Sequence, residues 1–109
     1  MSATISTHAL DAAAGIPAAG MKVSLECRLP GLEWVPSGRG RTDANGRLSF
    51  EHPVTEGTFR LTFATGAYFE ARGVPSFYPE VTVTFTVGTG HYHVPLLLSP
   101  YAYSTYRGS

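Results

Sequence analysis

The sequence predicts an all-β fold, a two-sheet antiparallel sandwich of about eight strands with one short helix. Three observations carry that expectation. Apolar and polar residues alternate with period two along most of the chain, as in strands with one buried face. Clusters of Gly, Pro and Asn interrupt the alternation at short intervals, where turns belong. Only residues 64–72 have a helical character, and they amount to about two turns.

Thr4–Leu10 opens the domain, with Ile5, Thr7 and Ala9 on one face and Ser6, His8 and Leu10 on the other. Asp11 and the segment from Gly15 to Gly20 make a connection. Met21–Arg28 is the cleanest strand: Met21, Val23, Leu25 and Cys27 face in, and Lys22, Ser24, Glu26 and Arg28 face out. Leu32–Val35, with Trp34, adds a short strand between Pro30-Gly31 and Pro36-Ser37-Gly38, and Arg39-Gly40-Arg41 reads as a solvated loop. Thr42-Asp43-Ala44-Asn45-Gly46-Arg47 is a turn, because Asn-Gly adopts positive φ at little cost. The strand after it sends Leu48 and Phe50 inward and Arg47 and Ser49 outward. Phe59, Leu61 and Phe63 form the next inward set. Ala64–Arg72 is the helix, stopped by Gly73 and Pro75. Val81, Val83, Phe85 and Val87 alternate with Thr82, Thr84 and Thr86. Thr89-Gly90 then turns into two final strands, His91–Leu98 and Tyr101–Tyr106, around Ser99-Pro100.

A chain of 109 residues makes one domain, 1–109, whose core gains from added burial on oligomerisation. Eight basic and eight acidic side chains cancel, which argues against a nucleic-acid or anionic-membrane partner. Cys27, the one cysteine, shares its face with Met21, Val23 and Leu25, so it reads as an inert core thiol. No apolar run reaches membrane-spanning length, and neither a secretory leader nor a peroxisomal ending is recognisable. By elimination the expected location is cytoplasmic.

The same alternation assigns polar residues to the outside of the sandwich. Tyr92, Val94, Leu96 and Leu98 take the core side, leaving His91, His93, Pro95 and Leu97 outside. His8 and Arg47 are outside by the same rule, and Ser109 joins them by sharing parity with Tyr101, Tyr103 and Thr105. Leu97, Tyr101 and Tyr103 would make that face apolar enough to be an interface, so a site there would gain its walls from other subunits. Each of these polar residues alone is what any strand surface carries; their coincidence on one face is the signal. An imidazole serves as general base near neutral pH, and an arginine fork holds a developing oxyanion or a carbonyl-rich ring. The pair suits attack of water on an acyl carbon. A zinc site on His91, His93 and His8 is the alternative, disfavoured because no carboxylate or cysteine accompanies them. No metal is therefore expected. His52 reads as a loop residue, and Ser104 lacks the strained elbow of a serine nucleophile.

Taken together, several motifs resemble the transthyretin-related 5-hydroxyisourate hydrolases. They are Ser6-Thr7-His8-Ala9-Leu10-Asp11, the turn from Thr42 to Arg47, Phe77-Tyr78-Pro79-Glu80-Val81, and His91 to Pro100 running into Ser104-Thr105-Tyr106-Arg107-Gly108-Ser109. The Tyr-Arg-Gly-Ser stretch separates these enzymes from vertebrate transthyretin, a hormone carrier of the same fold. The resemblance implies a transthyretin-like sandwich of two four-stranded sheets, assembled as a homotetramer, a dimer of dimers, with active sites in a central channel. It implies hydrolysis of 5-hydroxyisourate to 2-oxo-4-hydroxy-4-carboxy-5-ureidoimidazoline in urate breakdown, with no cofactor. Carried over by motif, His8, Arg47, His93 and Ser109 form the catalytic set, and Tyr106 contacts substrate with His8 and Arg47. Ser109 and its carboxylate would orient His93. Strict alternation sets Tyr106 on the face opposite Ser109, which leaves its route to the site open. The rival reading is a carrier that binds an aromatic ligand in the channel without turning it over.

Overall fold

A computed structural model describes residues 2–109, and among them nine strands and one helix form two sheets packed face to face. In chain order these are β1 (Ala3–Asp11), β2 (Ile16–Pro17), β3 (Lys22–Arg28), β4 (Val35–Arg41), β5 (Arg47–Val54), β6 (Gly57–Phe63), α1 (Thr65–Glu70), β7 (Val81–Val87), β8 (Gly90–Ser99) and β9 (Ala102–Thr105). In the first sheet β1 is central. It pairs with β8 on one side, and β9 lies beyond β8; on its other side β5 pairs with the first part of β1 and β2 with its end. The second sheet runs β4-β3-β6-β7.

The expected alternation holds on most strands. Ile5, Thr7, Ala9, Val94, Leu96 and Leu98 of the first sheet are buried, as are Val23, Leu25, Phe59, Leu61, Phe63, Val81 and Val87 of the second. Burying such side chains is worth roughly 1.5–3 kcal/mol each, so the period-two pattern sets which face turns inward. α1 is too short to persist alone. It is held by burial of Tyr68 and Phe69, by Gly66 N–H donating to Pro79 O (3.0 Å), and by the Tyr68 hydroxyl donating to Asp11 Oδ2 (3.0 Å) at the end of β1. Burial, and then the Asp11 carboxylate, push that phenol up to about 12, so it remains a donor. Among the described residues no helix is long and apolar enough to cross a membrane.

Four expectations need correction. First, the sandwich is not wholly antiparallel: β1 and β8 run parallel through nine residue pairs, from Ala3↔Gly90 to Asp11↔Leu98. Second, the strand placed at 32–35 lies at Val35–Arg41, with Leu32 in an exposed turn and Arg39-Gly40-Arg41 in the ladder rather than in a loop. Glycine hides this strand from propensity and also makes it possible. A Cβ at Gly38 would stand 2.9 Å from Phe50 Cδ1, and one at Gly40 2.9 Å from Leu48 Cδ1, so β4 closes over β5 at this side of the sandwich because both positions are bare. Third, His52 belongs to β5 and not to a loop; beside it Pro53 is tolerated because β5 is an edge strand. Fourth, Tyr103 is not on the outer face. It pairs with the core residue Leu98, and its ring meets Tyr78 edge-on at 5.1 Å. The tight turn at Pro100-Tyr101 sets that register, so parity counted through it fails.

Candidate active site

The outer face of the first sheet presents two rows of side chains, polar except for Pro95. Arg47, His8 and Pro95 lie side by side on β5, β1 and β8; one step along, Ser49, Ser6 and His93 do the same. Directly opposed residues of an antiparallel pair have Cβ atoms roughly 4.5–5.5 Å apart, so the register alone brings His8 and Arg47 together.

The turn before β5 fixes that register. Asp43 Oδ1 accepts from the backbone N–H of Asn45 (2.8 Å) and of Arg47 (2.9 Å). Those two bonds, Arg47 first, hold the Asp43 carboxyl below its usual range. Gly46 has φ of +76°, and a Cβ there would run into the Ala9 carbonyl. Its own carbonyl accepts from Ala9 N–H (2.8 Å), which ties the turn to β1. The Asn-Gly pair therefore makes no hairpin. It passes the chain from the second sheet to the first and delivers Arg47 beside His8. The turn also positions His8, whose Nε2 lies 2.9 Å from Asn45 O. A carbonyl only accepts, so Nε2 carries the hydrogen and a neutral His8 keeps its Nδ1 lone pair.

His93 is held from two sides. Its Nδ1 lies 2.8 Å from Ser6 Oγ. Gly108 forms an antiparallel bridge with it, N–H to His93 O at 2.8 Å. A Cβ on Gly108 would stand 2.6 Å from His93 Cδ2 and 3.3 Å from Pro95 Cγ, so only glycine lets the chain end lie across this ring. That cover also explains why Pro95, an outward residue, is buried. Burial, then the charges of Arg47, His8 and His91, push the His93 imidazole below its ordinary value. Both effects favour the neutral ring, and its Nε2 makes no hydrogen bond among the described residues.

Arg47 takes part in no salt bridge among the described residues, where the one ion pair is Arg60–Glu26. Its exposed guanidinium leaves the fork of donors available. The structure thus gathers His8, Arg47 and His93. It does not join Ser109 to them: β9 ends at Thr105, and Gly108, not Ser109, stands opposite His93. Parity counted along β9 misplaced it, because the chain leaves the ladder before the bridge. Ser109 follows Gly108 and is exposed. Tyr106 is 58% exposed at the rim of a cavity of about 220 Å³ lined by Val83, Phe85, Tyr92, Val94 and Arg107.

Reasoning from sequence overlooked two parts of this site. Ser6 and Thr4 share the outer parity of His8, and both bond to histidines of β8. Their parity was legible; their pairing was not, because it depends on the parallel β1–β8 register. The second part is Gly108. Among the described residues no three His, Cys, Asp or Glu side chains converge as a metal would need. Both ring nitrogens of His91 are instead taken by the hydroxyls of Thr4 and Ser6.

Comparison with known proteins gives the chain its relatives. Residues 5–108 match the family model described as HIUase/Transthyretin family. A 5-hydroxyisourate hydrolase of Deinococcus radiodurans is 46% identical over 115 residues, covering 96% of this chain and 95% of that protein. The structure of Klebsiella pneumoniae 5-hydroxyisourate hydrolase superposes with a TM-score of 0.85 at 40% identity, covering 97% and 99% of the two chains. Transthyretin from Sparus aurata superposes with a TM-score of 0.88 at 30% identity, covering 95% of each. Backbone shape alone does not separate the hydrolase from transthyretin, since both superpose about equally well.

Proposed function

Because the chain belongs to the HIUase/transthyretin family, we propose that His8, Arg47 and His93 form the centre of a hydrolytic site, with His93 as general base. The chain is an enzyme that hydrolyses 5-hydroxyisourate to 2-oxo-4-hydroxy-4-carboxy-5-ureidoimidazoline, a reaction supported by relatives of that activity along nearly its whole length. The single observation that carries the site assignment is the His93 ring. It is fixed through Nδ1 and bare at Nε2 beside an Arg47 that has no salt bridge among the described residues, and burial, then neighbouring charge, favours its neutral form.

In the proposed reaction a water gives one proton to His93 Nε2 as its oxygen bonds to the acyl carbon. Arg47 holds the carbonyl-rich ring and the charge that grows on the carbonyl oxygen. His8, with Nε2–H spent on Asn45, meets the ring through Nδ1. The acyl C–N bond breaks and the ring nitrogen takes the proton back from His93. Water is the nucleophile, and no cofactor is required. Tyr106 is assigned to substrate contact, and Ser109, one residue past the Gly108–His93 bridge, to support of His93.

The assembly we infer is a homotetramer, a dimer of dimers. The site lies open on a sheet face and lacks walls, while β9 is an edge strand with every residue exposed. An uncovered edge is a template for pairing with a second copy. Cytoplasmic residence fits a chain whose one cysteine, Cys27, is free.

The test is direct. 5-Hydroxyisourate generated from urate by urate oxidase decays with an ultraviolet signal, and the protein should accelerate that decay catalytically. A carrier would slow or leave unchanged the decay while binding the compound stoichiometrically.

A further inference from the structure

Four side chains on the outer face of the parallel β1–β8 pair form one unbroken hydrogen-bonded chain. Thr4 Oγ1 lies 2.6 Å from His91 Nδ1, His91 Nε2 lies 2.9 Å from Ser6 Oγ, and Ser6 Oγ lies 2.8 Å from His93 Nδ1. The register explains it: Thr4 stands beside His91 and Ser6 beside His93, so hydroxyls and imidazoles interleave across the two strands. From this arrangement we infer that Thr4–His91–Ser6–His93 is a proton relay, in which Ser6 and His91 are positioning residues that set the protonation state of His93. The inference rests on the reading of His93 as general base.

A hydroxyl donates one hydrogen bond and accepts others, and a neutral imidazole does one of each. The chain therefore has two complete directions. In one, Thr4 donates to His91, His91 Nε2–H to Ser6, and Ser6 to His93 Nδ1, which leaves the hydrogen of His93 on Nε2. In the other, His93 Nδ1–H donates to Ser6, Ser6 to His91 Nε2, and His91 Nδ1–H to Thr4. Only the second leaves a lone pair on His93 Nε2, where a base needs it. Ser6 is 7% exposed, so water competes poorly for its hydroxyl.

The relay moves one proton without net loss. Water gives a proton to His93 Nε2. His93 gives the one on Nδ1 to Ser6 Oγ, and Ser6 gives its own to His91 Nε2. His91 is then an imidazolium donating to Thr4 and Ser6, and His93 is again neutral. When the C–N bond breaks, the same protons return in reverse and reach the leaving nitrogen from His93 Nε2. The gain is electrostatic. A cation on His93 is disfavoured first by burial and then by the field of Arg47 and His8. His91 is two residues from His93 along β8, on the side away from that pair, so a charge there lies roughly 6–7 Å further along the strand from it.

The experiment compares wild type with Ser6→Ala, Ser6→Thr and His91→Gln in the 5-hydroxyisourate decay assay, in mixtures of light and heavy water. Glutamine keeps an amide donor and acceptor but takes up no proton. Wild type is expected to show a curved dependence of kcat on deuterium fraction, the mark of several protons in flight. Ser6→Ala and His91→Gln should lose kcat on the order of a hundredfold, the low end of general-base effects. Their KM should be nearly unchanged and their deuterium dependence linear. Ser6→Thr should restore both rate and curvature. Wild-type kcat linear in deuterium fraction, or Ser6→Ala within twofold of wild type, overturns the relay while leaving the hydrolase intact. Absence of wild-type turnover instead overturns the hydrolase reading itself. A variant that melts early is judged by the wild-type curvature, which needs no substitution.

Discussion

The two sheets turn outer faces of similar polarity to solvent but treat their polar groups differently. On the second sheet Arg60 Nε donates to Glu26 Oε1 at 2.7 Å, and the guanidiniums of Arg60 and Arg28 lie 4.2 and 4.8 Å from the Trp34 ring. Thr62 and Thr82 pair their hydroxyls across strands. Those groups use their bonding capacity on each other. On the first sheet His8 and His93 each commit one nitrogen to being held and keep the other, and Arg47 makes no salt bridge among the described residues. The comparison teaches that polarity marks a surface, whereas fixed but unfinished bonding marks a site. Breaking the first face should cost rate and spare the fold. Breaking the second should do the reverse.

The largest expected effect is His93→Gln, which keeps a bond to Ser6 but removes the base. Turnover of 5-hydroxyisourate should fall about 10²–10⁴-fold with the melting temperature unchanged. Arg47→Lys comes next: the charge stays and the fork goes. Loss of one oxyanion donor costs on the order of 10²-fold, and wild-type kcat/KM in this variant would show that Arg47 only decorates a turn. Gly108→Ala should cost about tenfold, because its methyl must displace the ring that stands 2.6 Å from the Cβ position. Here the decay assay should register the change while circular dichroism does not. Glu26→Gln, on the second sheet, is the smallest. It should lower stability by less than about 1 kcal/mol in urea titration, since a partly exposed ion pair contributes little, and leave kcat alone.

How much of this was legible depends on the distance over which the information acts. Period-two alternation is local, so the buried faces of β1, β3, β6, β7 and β8 were readable, and with them the outward placement of His8, Arg47 and His93. β4 was not, because Gly38 and Gly40 matter through Phe50 and Leu48 on another strand. Tyr103 and Ser109 were misplaced for a related reason: a two-residue turn and an isolated bridge each reset the count. The hydroxyl partners of His91 and His93 are 85 or more residues away in sequence. They appear only when β1 and β8 are known to run parallel.

The most direct measurement of the central claim is the pH dependence of kcat/KM for the wild type, with spontaneous decay subtracted. That quantity reports ionisations of the free enzyme. His93 works only when neutral, and burial, Arg47, His8 and His91 hold its pKa below the ordinary 6.5. The same depression makes the unfolded chain bind more protons just below 6.5, so stability should fall with acidification there as well. Activity should rise with pH along a limb centred below 6.5 and then level off through neutrality. A limb centred at or above 6.5, or a rate indifferent to pH across that range, would contradict His93 as the base on the outer face of the first sheet.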